Sequence, residues 1–285
     1  MRKLLLFALS ICILSGCGKE PKEIIDEEHQ VVLTFSAQDN EDASLKSVGS
    51  AAERSITKLL LFGVNEANNV VKYPVINNPV SGTTSVTISK TIKTIYAIAN
   101  PTTALEGASP ATLTALNDLV GSYTAQPTSS FLMSGSASVT GSSVNFTLVR
   151  AIAKIKINAK NDFVITSVTV QNTPRDVYVF PRSPFAVPTN RINYGIVNSA
   201  TPELYVTENT AANSTKFLVV GTYLDKTANY TFELKVGGNP IDILRNRFYT
   251  VDITPLTETE CFVSFSVVDW VDVTTDEQVI PDSAF

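Results

Sequence analysis

Short apolar runs, each closed by Asn, Gly, Pro or Ser, recur along most of this chain and commit it to a β architecture. Ile56–Val64 reads as a buried strand, followed by Val70–Val75 after a turn at Glu66–Asn69. Thr83–Ile88 alternates as a half-exposed strand, and Lys93–Ala99 runs into the stop signal Asn100-Pro101. Phe131–Val139 and Val144–Ile157 flank Gly141-Ser142-Ser143. A second set follows: Ile165–Gln171, Tyr178–Phe180, Glu203–Thr207, Lys216–Tyr223, Tyr230–Val236, Phe248–Ile253 and Cys261–Val268. Pro174–Pro202 is rich in Pro and Asn and reads as irregular. Only Pro110–Val120 has helical spacing, through Leu113, Leu116, Leu119 and Val120. The expected fold is mainly β, a sandwich architecture with one short helix in its first part. Val149–Ile155 reads as the hinge between two such domains.

The earliest strand signal has unusual flanks. In Gln30–Ala37, Val31, Leu33, Phe35 and Ala37 share one side, and Thr34 and Ser36 the other. Downstream, Gln38–Ala52 is polar and small, with Lys46 inside it and Arg54 just beyond. A strand tied to its fold by such a loop can be released by a trypsin-like protease, with Lys46 and Arg54 as candidate cut sites. A sheet that loses a strand presents unpaired backbone and an apolar groove, which another chain's strand can fill.

Upstream, Met1-Arg2-Lys3 is a positive start, and Leu4–Leu14 is an apolar stretch too short for a stable membrane span. Leu14-Ser15-Gly16-Cys17 resembles the bacterial lipobox, which implies cleavage before Cys17 and acylation of that residue. Charged residues from Lys19 to Glu28 form a tether. Expected segments are a signal peptide (1–16), a tether and pro-segment with the removable strand (17–54), an N-terminal β-sandwich domain (55–148) and a C-terminal one (149–285).

Composition removes several function classes. The 285 residues are 44% hydrophobic and 17% charged, enough apolar content for packed cores. The net charge is -5 with no basic cluster, which argues against nucleic acid as a partner. The cysteines are Cys12, Cys17 and Cys261, so the body holds one thiol and no internal disulfide. The one histidine, His29, lies in the pro-segment. A chain beginning after Lys46 therefore lacks histidine-based triads and metal sites. Carboxylate-pair chemistry survives this count, but no carboxylate stands in a motif and there is no Gly-rich phosphate loop. No cofactor and no catalytic residue are expected.

Several motifs carry a family resemblance. Ala97-Ile98-Ala99-Asn100-Pro101, Met133-Ser134-Gly135 and Arg150-Ala151-Ile152-Ala153-Lys154-Ile155 come first. Tyr205–Asn209, Phe217–Tyr223, Ile243–Val251 and Trp270 follow. With the lipobox, this ordered set resembles the FimA-type fimbrillins of Bacteroidetes over essentially the whole chain. The resemblance implies two transthyretin-like β-sandwich domains in a lipoprotein precursor on the outer membrane. It implies removal of strand Val31–Ala37 by a protease and polymerisation with other pilus subunits by strand exchange. Family stalk subunits are cut after arginine, and Arg54 is the only arginine between the leader and Arg150. The donated strand would lie within Cys261–Val268, presenting Val263, Phe265 and Val267, and in the tail through Val279-Ile280. The alternative is a monomeric or pilus-anchoring surface lipoprotein that binds glycan or host protein.

Other residues read as structural. Cys261 is expected as a small hydrophobe at a strand start. Glu208-Asn209 and Arg245-Asn246 are expected to serve turns or an ion pair. Tyr194, Tyr205, Tyr223 and Tyr230 read as packing rather than a sugar platform. Asp282-Ser283-Ala284 resembles a short O-glycosylation site.

Overall fold

The computed structural model describes residues 27–37, 50–79, 82–195, 197–200 and 202–270, with the backbone of 280–281. Nine strands form or border the first part: β1 (Glu28–Ala37), β2 (Lys58–Asn65), β3 (Val70–Lys72), β4 (Ile76–Asn77), β5 (Thr83–Ser89), β6 (Ile92–Ala99), β7 (Val120–Ser122), β8 (Met133–Ser138) and β9 (Ser143–Arg150). Its helices are single turns: α1 (Ala51–Arg54), α2 (Thr103–Gly107) and α3 (Leu113–Asn117).

Apolar patterning decides how each strand is used. The continuous apolar run of β2 is buried on both faces, as such runs require. The hydrogen-bonded order is β3-β2-β6-β8-β9-β1-β5, with β4 also on β2. That path turns a corner where β8 and β9 share only Met133↔Arg150 and Ser134↔Val149. The β9-β1-β5 layer thereby packs on the β2-β6-β8 layer, and Leu33, Phe35 and Phe146 share a core with Leu59, Leu61 and Ile95. The opposite face of β2 and β6 is covered by Leu105 of α2, Leu116 of α3, and Val177, Val179 and Phe180.

The expected helix at Pro110–Val120 is present only as α3. The Thr112 hydroxyl accepts from the Ala115 N–H at 3.2 Å and starts it. Asp118 ends it, and Val120 already belongs to β7. Helices α1 and α2 are too short to leave a periodic signal.

The second part contains β10 (Ile152–Ala159), β11 (Val164–Gln171), β12 (Thr173–Pro174), β13 (Asp176–Tyr178), β14 (Arg191–Ile192), β15 (Glu203–Thr207), β16 (Lys216–Tyr223) and β17 (Lys226–Phe232). It continues with β18 (Lys235–Val236), β19 (Asn239–Pro240), β20 (Arg247–Pro255), β21 (Cys261–Asp269) and β22 (Ile280–Pro281). A five-stranded sheet, β15-β10-β20-β21-β22, packs on a three-stranded one, β11-β16-β17. Ile155, Val251 and Phe265 meet Val168, Phe217 and Tyr230 in the core between them. The run Val144–Ile157, expected as one strand, is two. Ala151 is fully buried and its N–H donates to the Leu132 carbonyl at 2.9 Å, which carries the chain from one sheet to the next. Among its described residues, the expected irregular stretch 174–202 holds short ribbon strands: β13 pairs with β7, and β12 with β14.

Candidate functional site

Strand β1 fills a slot between two partners of opposite sense. It runs antiparallel to β5, from Glu28↔Ser89 to Thr34↔Thr83. It runs parallel to β9, from Val32↔Ser143 to Ala37↔Leu148. Val31 and Leu33 are fully buried, and Phe35 and Ala37 nearly so. Val32, Thr34 and Ser36 face solvent, so all four inward positions read from the sequence lie on the core side. Fully burying Val31, Leu33 and Phe35 is worth about 1.5–3 kcal/mol each. The Phe35 N–H donates to the Gly82 carbonyl at 2.7 Å. Gly82 has φ +79, and a Cβ there would sit 3.0 Å from the Phe35 carbonyl, so the turn into β5 is built for glycine. Among the described residues β5 joins the sheet only through β1, so removing β1 leaves β5 unpaired and opens one edge of β9.

Strand β21 is placed differently. It pairs with β20 along all nine residues, from Pro255↔Cys261 to Arg247↔Asp269. Phe265 is buried in the second core, and Val263 and Val267 pack half-buried against it. On its other edge Ser264 and Phe265 pair with Pro281 and Ile280 of β22. Val263, Phe265 and Val267 are thus integral to their own sheet, and β22 is the outermost strand. Cys17 and Lys46 lie outside the described residues. Arg54 is exposed at the end of α1.

A charged cluster that sequence reading missed surrounds α1. Ser50 and Glu53 form a reciprocal capping box, closed by a bond from the Ser50 N–H to the Glu53 carboxylate. Glu53 is 1% exposed. Its carboxylate lies 2.9 Å from Lys154 Nζ on β10 and accepts from the Tyr205 hydroxyl on β15 at 2.6 Å. Lys154 also reaches Glu203 at 3.0 Å. Burial pushes the Glu53 carboxyl up, but the bonds from Tyr205, Lys154 and the Ser50 N–H outweigh it and hold the group below the usual carboxylate range. Arg150, fully buried at the end of β9, donates Nε–H to the Glu53 carbonyl at 3.1 Å and Nη1–H to Asn246 Oδ1 at 3.2 Å. Its guanidinium lies 4.7 Å over Trp270, which stacks with Tyr205. The Ser50-x-x-Glu53 pattern was the available signal. Its partners, far along the chain, left none.

The remaining candidates are structural. Glu208 and Arg245 form a buried two-pronged ion pair, and Arg245 also donates to the carbonyls of Tyr178 (2.7 Å) and Val179 (3.0 Å). Asn209 donates to Thr215 Oγ1 at 3.0 Å, and the Asn246 N–H donates to the Ile152 carbonyl at 2.7 Å. Tyr194 and Tyr230 are buried, and Tyr205 and Tyr223 pack against cores. Burial pushes the Cys261 thiol up to about 11, the opposite of what a nucleophile needs.

No protein-family model and no curated protein matches the chain. Solved structures do. A fimbrilin (fimA) from Porphyromonas gingivalis W83 superposes with a TM-score of 0.60 at 13% identity, covering 86% of this chain and 98% of that one. The tip fimbrial protein Mfa3 from Porphyromonas gingivalis, with C-terminal truncation, gives 0.58 at 16% identity, covering 85% and 100%. A fimbrial assembly protein from Parabacteroides distasonis gives 0.55 at 12% identity, covering 85% and 96%. Over these shares of its length, the chain has the fold of fimbrial proteins.

Proposed function

We propose that this chain is a structural subunit of a surface fimbria, made as a lipoprotein acylated at Cys17, that polymerises by strand exchange, serves adhesion and catalyses no reaction. The observation that carries the reading is the position of β1. It is the first described strand, it is central in its layer, and it can leave without breaking the covalent continuity of the body behind it. A slot with four apolar positions and two unpaired backbone edges binds an extended strand through main-chain bonds and alternate side chains. The donor segment is proposed to lie within Cys261–Val268, presenting Val263, Phe265 and Val267, and in the tail through Val279-Ile280; in the subunit described here Cys261–Asp269 pairs along β20. The partners are other fimbrial subunits, and the fold shared with fimbrial proteins supports that choice.

The test is limited trypsin digestion of the purified full chain, followed by unheated SDS electrophoresis. The expected result is a ladder of multimers that appears as β1 is lost. Loss of β1 with only monomer remaining would favour the monomeric surface lipoprotein instead.

A further inference from the structure

We infer that the turn Ser50–Arg54 is a clasp retained by the processed subunit, and that the Arg54–Ser55 bond is not the one cut to release β1. The inference rests on the strand-release reading above and states where release must stop.

By residue type alone, Arg54 is an inviting site: basic, exposed and next to the pro-segment. A trypsin-like protease, however, holds several residues on each side of the cut bond in an extended conformation. Both sides of this bond are pinned. On the leading side, Glu53 is anchored through its carboxylate by Lys154 and Tyr205 and through its carbonyl by Arg150. The capping box fixes the same residues as a helical turn, which a protease cannot bind without unwinding it. On the trailing side, Asn100 donates Nδ2–H to the Ser55 carbonyl at 2.8 Å and accepts from the Thr57 N–H at 2.8 Å. Asn100 is itself buried and donates to the Phe131 carbonyl at 3.0 Å.

The consequence of a cut there argues the same way. Losing Glu53 would leave Lys154, 6% exposed, with Glu203 alone, and would take from Arg150 its bond to the Glu53 carbonyl. Lys154 would then keep only the half-exposed Glu203 and lose its buried carboxylate partner, which is disfavoured for a buried cation. Release of β1 therefore occurs upstream of Ser50, while α1 stays and neutralises the charge buried between β9, β10 and β15.

Limited trypsin digestion of wild type and of Arg54→Gln, read by intact mass, tests this. The circular dichroism spectrum of Arg54→Gln, matched to wild type, checks that the fold is kept. The clasp predicts that both chains lose β1 at rates within about twofold, and that every large product retains Glu53. A wild-type product beginning at Ser55, or a tenfold slower release in Arg54→Gln, overturns it. In Glu53→Ala the bond should open and a product beginning at Ser55 should appear. If that variant keeps the wild-type circular dichroism spectrum and its bond stays resistant, the clasp is overturned. Electrophoresis of the same digests separates the two readings. A ladder from chains that begin at Ser55 defeats the clasp alone, whereas products that retain Glu53 but form no ladder defeat strand exchange alone.

Discussion

Strands β1 and β21 show similar alternation yet are held in opposite ways. β21 follows β20 through a short turn, and its nine pairs are local in sequence. β1 is bonded to β5 and β9, strands far along the chain, in two senses at once. Local pairing ties a strand to its sheet through the chain itself. Distant pairing holds it only through burial and hydrogen bonds, and the strand-release proposal uses that difference. The difference teaches that depth of burial and local attachment are separate properties: β1 is the more deeply buried of the two, yet it is the one that the strand-release proposal has leaving.

The largest expected effect tests that depth. Leu33→Ala should destabilise the chain by about 2–5 kcal/mol, the range for a buried leucine in a packed core. Val263→Ala, at a half-buried position, should cost about 1 kcal/mol. Urea unfolding of both variants checks this, and equal costs would break the contrast.

Acid sharpens the contrast through Glu53. Its folded carboxyl titrates below its ordinary value, so the stability it contributes is present above that value and is lost as pH falls through the folded one. Below about pH 4, the usual range for carboxylates, amide exchange at Arg54 and Ser55 should accelerate well before exchange along β20 and β21. Simultaneous acceleration in both regions would mean that Glu53 does not set local stability.

The smallest effect concerns the start of β1. Lys90 pairs with Glu27 at 2.6 Å on the surface, both side chains being more than half exposed. Lys90→Ala should leave stability nearly unchanged, because an exposed ion pair is screened by water and salt, and thermal unfolding would show it. A larger loss would mean that β1 is held by its end rather than by its buried face.

The inward face of β1 was legible because alternation is a property of neighbouring residues, and Val31, Leu33, Phe35 and Ala37 displayed it directly. That β1 sits between β9 and β5 was not, since strand order depends on pairings between distant segments. The break at Ala151 was hidden for a related reason: Val144–Ile157 holds no Gly or Pro to mark a turn, and the bond from Ala151 to Leu132 shows where the chain changes sheets. Ser50 and Glu53 carried a readable cap, but nothing local to them points to Lys154 or Tyr205. The acidic and basic members of that cluster look in sequence like ordinary surface charges, and only the fold removes them from water.

The mixed sense of the slot has a geometric consequence. A strand that takes the place of β1 must run with β9 and against β5, so it enters in one direction only. In the proposed exchange the contact between giver and receiver would join two different surfaces, and a head-to-tail contact of that kind builds an open fibre when its rotation does not close into a ring. A fibre made by repeating it would have unlike ends, one offering an unfilled slot and the other an unused tail, and its elongation would be vectorial.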